Sequence, residues 1–354
     1  MNIEWRPLKS HEISLLQSPE SLYVFDLRGT NVLTSIKIPD FWKYENIFPW
    51  ILQNQHVVVN EDYARLTYSN SNRYVIARKN DDPRISLMER LDSTILRDFS
   101  AIWMGIPNSA ADLLAQKNNI PISFSFTDFQ DYNDKYKQKE LFGDLTPDWK
   151  KVHSESAATS YLAKDSSWFL KRRHGSGGWH VLNLASITLE DIRLAFSRST
   201  DWFVEKKVVG KVYSIQCLRL PNENKTFVFG LVNQLIEEGT HFIGGRILPM
   251  SDMENHLREQ IEQAINKLEG LLKNYEGFYG IDFIVDDAKQ LCVLEANVRM
   301  TAMTIPVLVA NNLNKHLDFL EDIKKNKIAA DDIVVAEDLV RMTADVLRKP
   351  SKSS

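Results

Sequence analysis

The sequence predicts a fold of the mixed α/β (α+β) class. Over residues 1–125, short runs rich in β-branched and aromatic residues alternate with helical stretches, which is typical of an α/β domain. From Asp252 to Tyr275, apolar residues recur at three- and four-residue steps, so a long amphipathic helix is expected there. Two apolar runs, Ile281–Val285 and Leu291–Ala296, flank turn residues and predict a β-hairpin.

Composition and charge restrict the function classes. The chain has 354 residues, 44% of them apolar and 25% charged, which is ordinary for a soluble globular protein. Its net charge of −4 argues against a nucleic-acid-binding surface. The N-terminus has no apolar signal segment, and no window of about 18 apolar residues occurs. We therefore expect a cytoplasmic protein with neither a nucleic-acid nor a membrane partner, and we expect Cys217 and Cys292 to be buried thiols.

The first domain, residues 1–125, is predicted from short alternating elements. A helix is expected at Ser109–Lys117. Strands are expected at Leu22–Leu27, His56–Val59, Tyr74–Ala77 and Ile120–Phe126. No residue pattern in this domain indicates chemistry by itself.

A lysine-bearing helix and a glycine-rich turn follow. Asn133–Lys135 opens a helix that should run to about Phe142, with Asn133 or Asp134 as its cap. The strand Trp168–Lys171 ends in RRHGSGGWHV. Glycines shortly after a strand-terminal lysine let backbone N–H groups approach a polyphosphate, although a plain hairpin loop has the same composition. The order of residues is not that of a Walker A loop.

The central and C-terminal elements alternate in the same way. A helix at Ser186–Ser197 is expected to begin with a capping box formed by Thr188 and Asp191. Strands are expected at Trp202–Val204, Lys211–Leu218 and Thr226–Leu231, and a glycine-containing loop between Gly239 and Pro249 carries His241 and Arg246. Helices are expected at Thr304–Asn312, Leu317–Lys325 and Glu337–Leu347, with a disordered tail at Arg348–Ser354.

The hairpin brings acidic residues to one face. If Asp286 lies opposite Leu291, then Asp282 lies opposite Glu295, and Asn297 points to the same face as Glu295. Two carboxylates and an amide oxygen form an oxygen-only ligand set that suits Mg²⁺. The alternative is an edge hairpin whose acidic residues simply face water.

These features together resemble the ATP-grasp ligases, the family that includes D-alanine–D-alanine ligase and biotin carboxylase. The resemblance covers about residues 130–310 and follows the family's order of motifs: NDK with its helix, FLKRRHGSGGWHV, FVEKKVVGKVYSI and GIDFIVDD…VLEANVR. It implies an ATP-grasp fold with an N-terminal α/β pre-ATP-grasp domain. The implied domains are 1–125 (pre-ATP-grasp), 126–204 (N-terminal subdomain with the glycine-rich loop), 205–330 (C-terminal subdomain with the metal hairpin) and 331–354 (helix and tail).

The resemblance also implies a set of site residues. Lys135 and Lys171 would bind ATP phosphates, and Ser176, Gly177 and Gly178 would cover them. Glu205 and the backbone of Lys206 and Val208 would contact adenine. Asp282, Glu295 and Asn297 would hold Mg²⁺, with Mn²⁺ as an alternative ion. Arg299 would reach the transferred phosphate or the substrate carboxylate. Arg299, Arg246 and His241 are the candidates for binding the substrate carboxylates and the tetrahedral intermediate, although the last two could equally be surface residues of their loop.

Three positions depart from the family pattern. Val212 stands where many members have a glutamate that binds ribose. Arg172 replaces the usual proline after the loop lysine, and His180 replaces a glycine. Ribose binding and loop geometry are therefore the least secure parts of the resemblance, whereas the phosphate and metal positions match it.

The implied activity is carboxylate activation by ATP. A carboxylate would become an acylphosphate, and an amine would then displace phosphate to form an amide or peptide bond. Amino acids are the expected substrates, a carrier-bound acyl donor is an alternative, and homodimers are common among relatives. Two other functions stay open: a small-molecule kinase on the same scaffold, and a non-catalytic ATP-binding protein.

Overall fold

The computed structural model of the chain describes residues 1–9, 12, 21–24, 56–60, 74–77, 89, 91, 94–162, 167–175, 181–237, 240–313, 318–320 and 333–335. The predicted helix Glu337–Leu347, the tail and the last part of the predicted strand Leu22–Leu27 lie outside the described residues. No helix in the described part of the chain has the length and apolar character needed to cross a membrane.

The described elements are numbered here in chain order. Seven α-helices are α1 (Ser109–Asn118), α2 (Phe126–Tyr132), α3 (Lys135–Phe142), α4 (Glu155–Thr159), α5 (Leu189–Arg198), α6 (Asn255–Glu269) and α7 (Thr304–Leu313). Sixteen strands are β1 (Asn2–Trp5), β2 (Ser21–Val24), β3 (His56–Asn60), β4 (Tyr74–Ala77), β5 (Ala101–Met104), β6 (Trp149–Val152), β7 (Trp168–Arg172), β8 (Val181–Asn183), β9 (Trp202–Lys206), β10 (Gly210–Leu220), β11 (Lys225–Glu237), β12 (His241–Leu248), β13 (Gly277–Asp286), β14 (Leu291–Asn297), β15 (Asp318–Leu320) and β16 (Ile333–Val335).

The N-terminal region contains a parallel sheet in the order β4-β3-β2-β5. Helix α1 packs on it through Ala111 and Ala115, as the alternating pattern predicts. The predicted strand Ile120–Phe126 is wrong. Only Ile122 bridges to the sheet, and the Ser125 side chain accepts a hydrogen bond from the Asp128 N–H and starts α2. A local helix cap outweighs the apolar alternation here.

A second sheet is antiparallel and has the order β6-β9-β7-β8. Helix α5 covers it with Ile192 and Ala195. Its N-terminus carries the predicted capping box between Thr188 and Asp191. The helix therefore begins at Leu189, three residues later than the predicted start at Ser186, because the cap itself is non-helical.

The third sheet has eight strands and carries most of the core. Its order is β14-β13-β10-β11-β12-β15-β16, and β1 pairs with β11. Helix α6 lies on one face, where Ile261, Ala264 and Leu268 meet strand residues such as Ile215 and Phe283. The helix is shorter than the predicted Asp252–Tyr275, because the chain turns beyond Glu269. In that turn the Leu271 N–H donates to the Leu268 carbonyl at 2.9 Å.

Helix α7, predicted at Thr304–Asn312, approaches β11 closely because glycine leaves room. A Cβ added at Gly230 would lie 2.4 Å from a Val307 methyl group. Two expectations nearby are wrong. The segment between Gly239 and Pro249 contains strand β12 instead of being only a loop, and Leu317–Lys325 contains the strand β15, which pairs with β12. Both segments form strands because they pair with segments distant in the sequence, and no local pattern encodes that pairing.

Candidate active site

The hairpin of β13 and β14 places Asp282 opposite Glu295, as predicted. The reason differs from the predicted one. Val285, not Asp286, lies opposite Leu291, and the register shifts by one residue between Phe283 and Asp282. Leu294 is the extra residue of this β-bulge. The bulge restores the pairing that the predicted turn register would have given.

Asp282, Glu295 and Asn297 form a continuous oxygen-rich face, which we call the carboxylate face. The Asn297 amide donates to Asp282 Oδ2 at 2.9 Å, and Gln234 Nε2 donates to Asp282 Oδ1 at 2.8 Å. Burial and the nearby charge of Glu295 raise the pKa of Asp282 to about 7. Burial also raises the pKa of Glu295, but Lys135 outweighs it and holds the net pKa below its usual range.

Lys135 connects the carboxylate face to α3. Its Nζ lies 2.7 Å from Glu295 Oε2. The helix begins here because the Asp134 side chain accepts from the Tyr136 N–H. Asp134 also accepts from Arg173 Nε at 3.0 Å, and Lys135 N–H donates to the Arg173 carbonyl at 3.3 Å. The start of α3 is thus fixed to the stem of the glycine-rich turn. Ser176, Gly177 and Gly178 of that turn lie outside the described residues.

Side-chain amides before and within α3 hold the edge strand β14. Gln138 Nε2 donates to the Ala296 carbonyl at 2.7 Å, and the Ala296 N–H donates back to Gln138 Oε1 at 2.9 Å. Asn133 makes the same paired contact with Val298, at 3.3 Å and 2.9 Å. The residues on both sides of Asn297 are therefore fixed by an amide, although α3 itself belongs to a distant part of the chain.

Glu205 is the most enclosed acidic group of the site, with 1% of its surface exposed. Its Oε1 pairs with Lys171 and its Oε2 with Lys139. Burial raises the pKa of Glu205, but the two ammonium groups outweigh it and bring the pKa to about 2. We expected its side chain to contact adenine. Both oxygens instead engage lysines, because the carboxylate points between β7 and α3.

The segment after β9 was expected to offer backbone groups to adenine. The Lys206 N–H does not fit that expectation, since it donates to the Asp148 carbonyl at 2.8 Å. Lys207 N–H donates to Ser167 O at 2.6 Å. Val208 follows and is half-buried, and Val209 is 70% exposed. The Lys206 carbonyl and the Val208 backbone stay predicted contacts of a purine edge.

Arg299 lies beside the carboxylate face. Its guanidinium donates to Asn297 Oδ1 at 2.8 Å, and burial lowers its pKa. The turn that carries it is fixed from both sides. Met300 N–H donates to Gly105 O at 3.1 Å at the end of β5, and Thr301 Oγ1 donates to Gln216 Oε1 at 2.7 Å.

Arg246 is not brought to this face. It pairs with Asn233 on β11, whereas Val232, one residue earlier, pairs with Ser214 and so shares the face of Asp282. Since neighbouring strand residues point to opposite faces, Arg246 lies on the other side of the sheet. The backbone of His241 lies in β12 opposite Glu237. The expected loop would have left Arg246 free to turn toward the carboxylate face, and the strand does not.

The residues missed from sequence are Lys139, Gln138 and Gln234. Lys139 carried a readable signal, because it follows Lys135 by four positions in a helix and so shares its face. Gln138 and Gln234 carried none, since a glutamine in a helix or strand is most often a solvated side chain.

The arrangement suits a divalent cation that prefers oxygen ligands. No group of three or more His, Cys, Asp or Glu residues that could share a metal occurs within the described ranges. The third oxygen at the carboxylate face would therefore be the amide of Asn297. Burial, and after it the charge of Glu295, raises the pKa of Asp282. A divalent cation bound between the two carboxylates would favour their ionised forms, so the residues fit the expected ion.

Comparison with known proteins was made for both sequence and fold. The sequence profile of the ATP-grasp domain family matches residues 132–303. No curated protein matches the chain. The fold is similar to N5-carboxyaminoimidazole synthetase from Staphylococcus aureus complexed with ADP, at 16% identity and a TM-score of 0.54, covering 84% of this chain and 73% of that one.

Two further structures share the fold. A biotin carboxylase from Campylobacter jejuni in a β-γ-ATP complex has 14% identity and a TM-score of 0.57, with 92% of this chain and 71% of that chain covered. An L-amino acid ligase from Bacillus licheniformis has 13% identity and a TM-score of 0.54, with 81% and 68% covered. The matching profile and the similar structures agree: this chain has the ATP-grasp fold, and its residues 132–303 match the ATP-grasp domain profile.

Proposed function

We propose that the protein is an ATP- and Mg²⁺-dependent ligase that joins a carboxylate to an amine. The observation that carries the proposal is the contact between Lys135 and Glu295, 2.7 Å apart. It sets a cation of the kind that binds phosphate directly against a pair of carboxylates of the kind that binds Mg²⁺. Phosphoryl transfer from ATP–Mg²⁺ uses a phosphate-binding cation and metal-binding carboxylates side by side.

Each side chain has a defined part in the proposed reaction. Lys135 and Lys171 would bind the ATP phosphates, and Asp282, Glu295 and Asn297 would hold Mg²⁺. When bound, the ion would neutralise charge on the phosphoryl oxygens. The Val208 backbone would meet adenine. Ser176, Gly177 and Gly178 are proposed to cover the phosphates from the glycine-rich turn.

Arg299 is proposed to orient the carboxylate substrate. Its guanidinium lies at the carboxylate face, and its turn meets the carboxyl end of β5 through the Met300–Gly105 hydrogen bond. Gly105 N–H in turn donates to Val24 O at 2.8 Å at the end of β2. Ligands of open parallel sheets bind beyond the carboxyl ends of the strands. The acid would therefore lie between Arg299 and these two strand ends.

The chemistry then follows in two steps. A carboxylate oxygen of the substrate attacks the γ-phosphorus, the bond to the bridging oxygen breaks, and ADP leaves. The amine attacks the acyl carbon of the resulting acylphosphate, and inorganic phosphate and a proton are released. The solved structure of an L-amino acid ligase with this fold supports amino acids as the substrates to test first. A carrier-bound acyl donor, Mn²⁺ in place of Mg²⁺, and a homodimeric assembly are further parts of the proposal that need their own tests.

The test is release of ADP and phosphate from ATP–Mg²⁺ with a panel of amino acids and small carboxylates, singly and in pairs. Release that requires both an acid and an amine is the expected result. Release with one compound alone, leaving a lasting phosphorylated product, would make the protein a kinase. If ATP binds and no pair supports turnover, the ligase proposal fails for free substrates, and carrier-bound acids would be tested next.

A further inference from the structure

Lys139 is a buried cation that the proposed reaction does not use. It lies on α3, four residues after Lys135, and only 2% of its surface is exposed. Its ammonium group pairs with Glu205 and donates to the Val293 carbonyl at 3.4 Å. Burying a lysine to this extent is costly unless the ion has a specific partner. The position therefore needs an explanation.

Three charges lie in a row between the interior and the cleft. Lys139 is innermost, Glu205 lies between, and Lys171 is outermost, with 14% of its side chain exposed compared with 2% for Lys139. Each lysine takes a separate oxygen of the carboxylate. Lys171 is therefore the partner that can turn toward the cleft, and Lys139 is enclosed.

The row has a consequence for nucleotide binding. A phosphate that draws Lys171 away from Glu205 removes one of its two partners. If Lys171 were the single partner, the buried carboxylate would be left without compensation, and its attraction would oppose the departure of Lys171. With Lys139 in place, Glu205 stays in a neutral pair whether or not Lys171 remains.

We propose that Lys139 is the permanent counter-ion of Glu205, and that it allows Lys171 to exchange between Glu205 and the nucleotide phosphates. Lys139 is then a positioning residue for phosphate binding, and the Glu205 side chain is a holder for the lysines and not a ligand of adenine. This inference rests on the proposed nucleotide site. It goes further by assigning a role to a residue outside the predicted set.

The first test is direct titration of the full chain with ATP–Mg²⁺ and, separately, with adenosine as a competitor. Lys139→Met keeps the length of the side chain and removes its charge. We expect it to weaken ATP–Mg²⁺ binding at least tenfold, about 1.4 kcal/mol, while adenosine binding stays within twofold. Lys137→Met is the matched control, because Lys137 is on the same helix and is also ion-paired, with Asp131, but is solvent-exposed. It should leave both affinities unchanged.

A second variant keeps the test valid if Lys139→Met does not fold. In Lys139→Met with Glu205→Gln, the carboxylate that retains Lys171 is gone, so ATP–Mg²⁺ binding should return to within a few-fold of the parent protein. A tenfold or greater loss in this double variant would overturn the inference, as would parent-like binding by Lys139→Met. If the parent chain itself does not bind ATP–Mg²⁺, the proposed function fails first, and the two failures are therefore distinguishable.

Discussion

The two acidic clusters of the site, Glu205 and the carboxylate face, differ in charge balance. Glu205 is one carboxylate between two lysines, and its pKa is brought to about 2. At the carboxylate face Glu295 pairs with Lys135, and Asp282 contacts amide groups, with no ion pair of its own among the described residues. Arg299 lies beside both carboxylates, yet burial and the charge of Glu295 still raise the pKa of Asp282 to about 7. The Glu205 cluster therefore carries one surplus positive charge, whereas the charges at the carboxylate face balance only when Arg299 is counted.

The difference shows how a single cleft can bind a metal–polyphosphate. The surplus positive charge near Lys171 complements phosphate, and the opposed carboxylate oxygens of Asp282 and Glu295 complement a divalent cation. Lys135, which contacts Glu295, lies at the boundary between them. If the two clusters have separate roles, substitutions at the carboxylate face should change metal-dependent activity, and substitutions around Glu205 should change phosphate binding. Equal effects on both properties would mean that the clusters act as one.

The largest effect is expected from Glu295→Gln. The substitution keeps the shape of the side chain and removes a charge from the face that would hold Mg²⁺. We expect kcat/KM for ADP release to fall more than about 100-fold, since even indirect partners of a metal ligand change affinity or activity 10- to 100-fold. Glu259→Gln, on the exposed side of α6, is the control and should behave as the parent. Unchanged activity of Glu295→Gln would refute the metal assignment.

The pH dependence of stability should differ between the clusters. The pKa of Asp282 is about 7 in the folded protein, above its ordinary value of 3.8. The stability linked to its bound proton is therefore present below about pH 4 and is lost as the pH rises through about 7. We expect Asp282→Asn to raise the thermal midpoint relative to the parent at pH 8 and to have little effect at pH 4.

At Glu205 the pH dependence of stability should have the opposite sign. Its pKa is lowered from 4.5 to about 2, so its stabilising contribution is present at neutral pH and is lost only as the pH falls from about 4.5 toward 2. Thermal scans of the metal-free protein from pH 2 to pH 8 cover both windows and will show whether the loss at the alkaline end disappears in Asp282→Asn. If both proteins show the same curve above pH 4, the pKa of Asp282 is not raised in the folded protein.

The sequence was sufficient for the parts of the fold that local patterns encode. The capping box at Thr188 and Asp191, the helix at Thr304 and the opposition of Asp282 and Glu295 follow from spacing alone. Even there, the hairpin shows the limit, because the turn register differs by one residue from the predicted one and the bulge at Leu294 offsets the difference. An alternating pattern fixes which residues share a face and does not fix where a bulge occurs.

The rest could not be predicted because it depends on contacts between distant segments. Strand β12 forms against β11 and β15, and its pairing removes Arg246 from the face on which we had placed it. The partners of Glu205 come from α3 and β7, which β6 and α4 separate along the chain. Residue type indicated that these groups were charged, and only the packing indicates which charges meet.

A smaller effect is expected where amides position the carboxylate face. Gln138→Met would leave the buried backbone groups of Ala296 without partners, because Gln138 both donates to and accepts from that residue. We expect a loss of about 1–3 kcal/mol in the free energy of unfolding, measured by denaturant titration. Asn311→Ala removes the single hydrogen bond that the Asn311 side-chain amide donates to the Phe229 carbonyl at 2.8 Å. It should lower the free energy of unfolding by about 1 kcal/mol. Equal losses would mean that the paired contact with β14 has no special strength.

The smallest effect is expected at the exposed pair formed by Lys151 and Glu140, whose charged groups lie 2.8 Å apart. Both side chains are well exposed, so solvent screens the attraction, and holding two long side chains in place opposes it. The Lys151 ammonium also lies 4.9 Å from the centre of the Tyr136 ring, and such a contact contributes about 0.5–1 kcal/mol at an exposed site. Lys151→Met should therefore change the free energy of unfolding by no more than about 1 kcal/mol and leave ATP–Mg²⁺ binding as in the parent. The same substitution at Lys139 is expected to weaken that binding. A similar result at both lysines would mean that burial between α3 and β9 does not distinguish the Glu205 cluster from an ordinary surface ion pair.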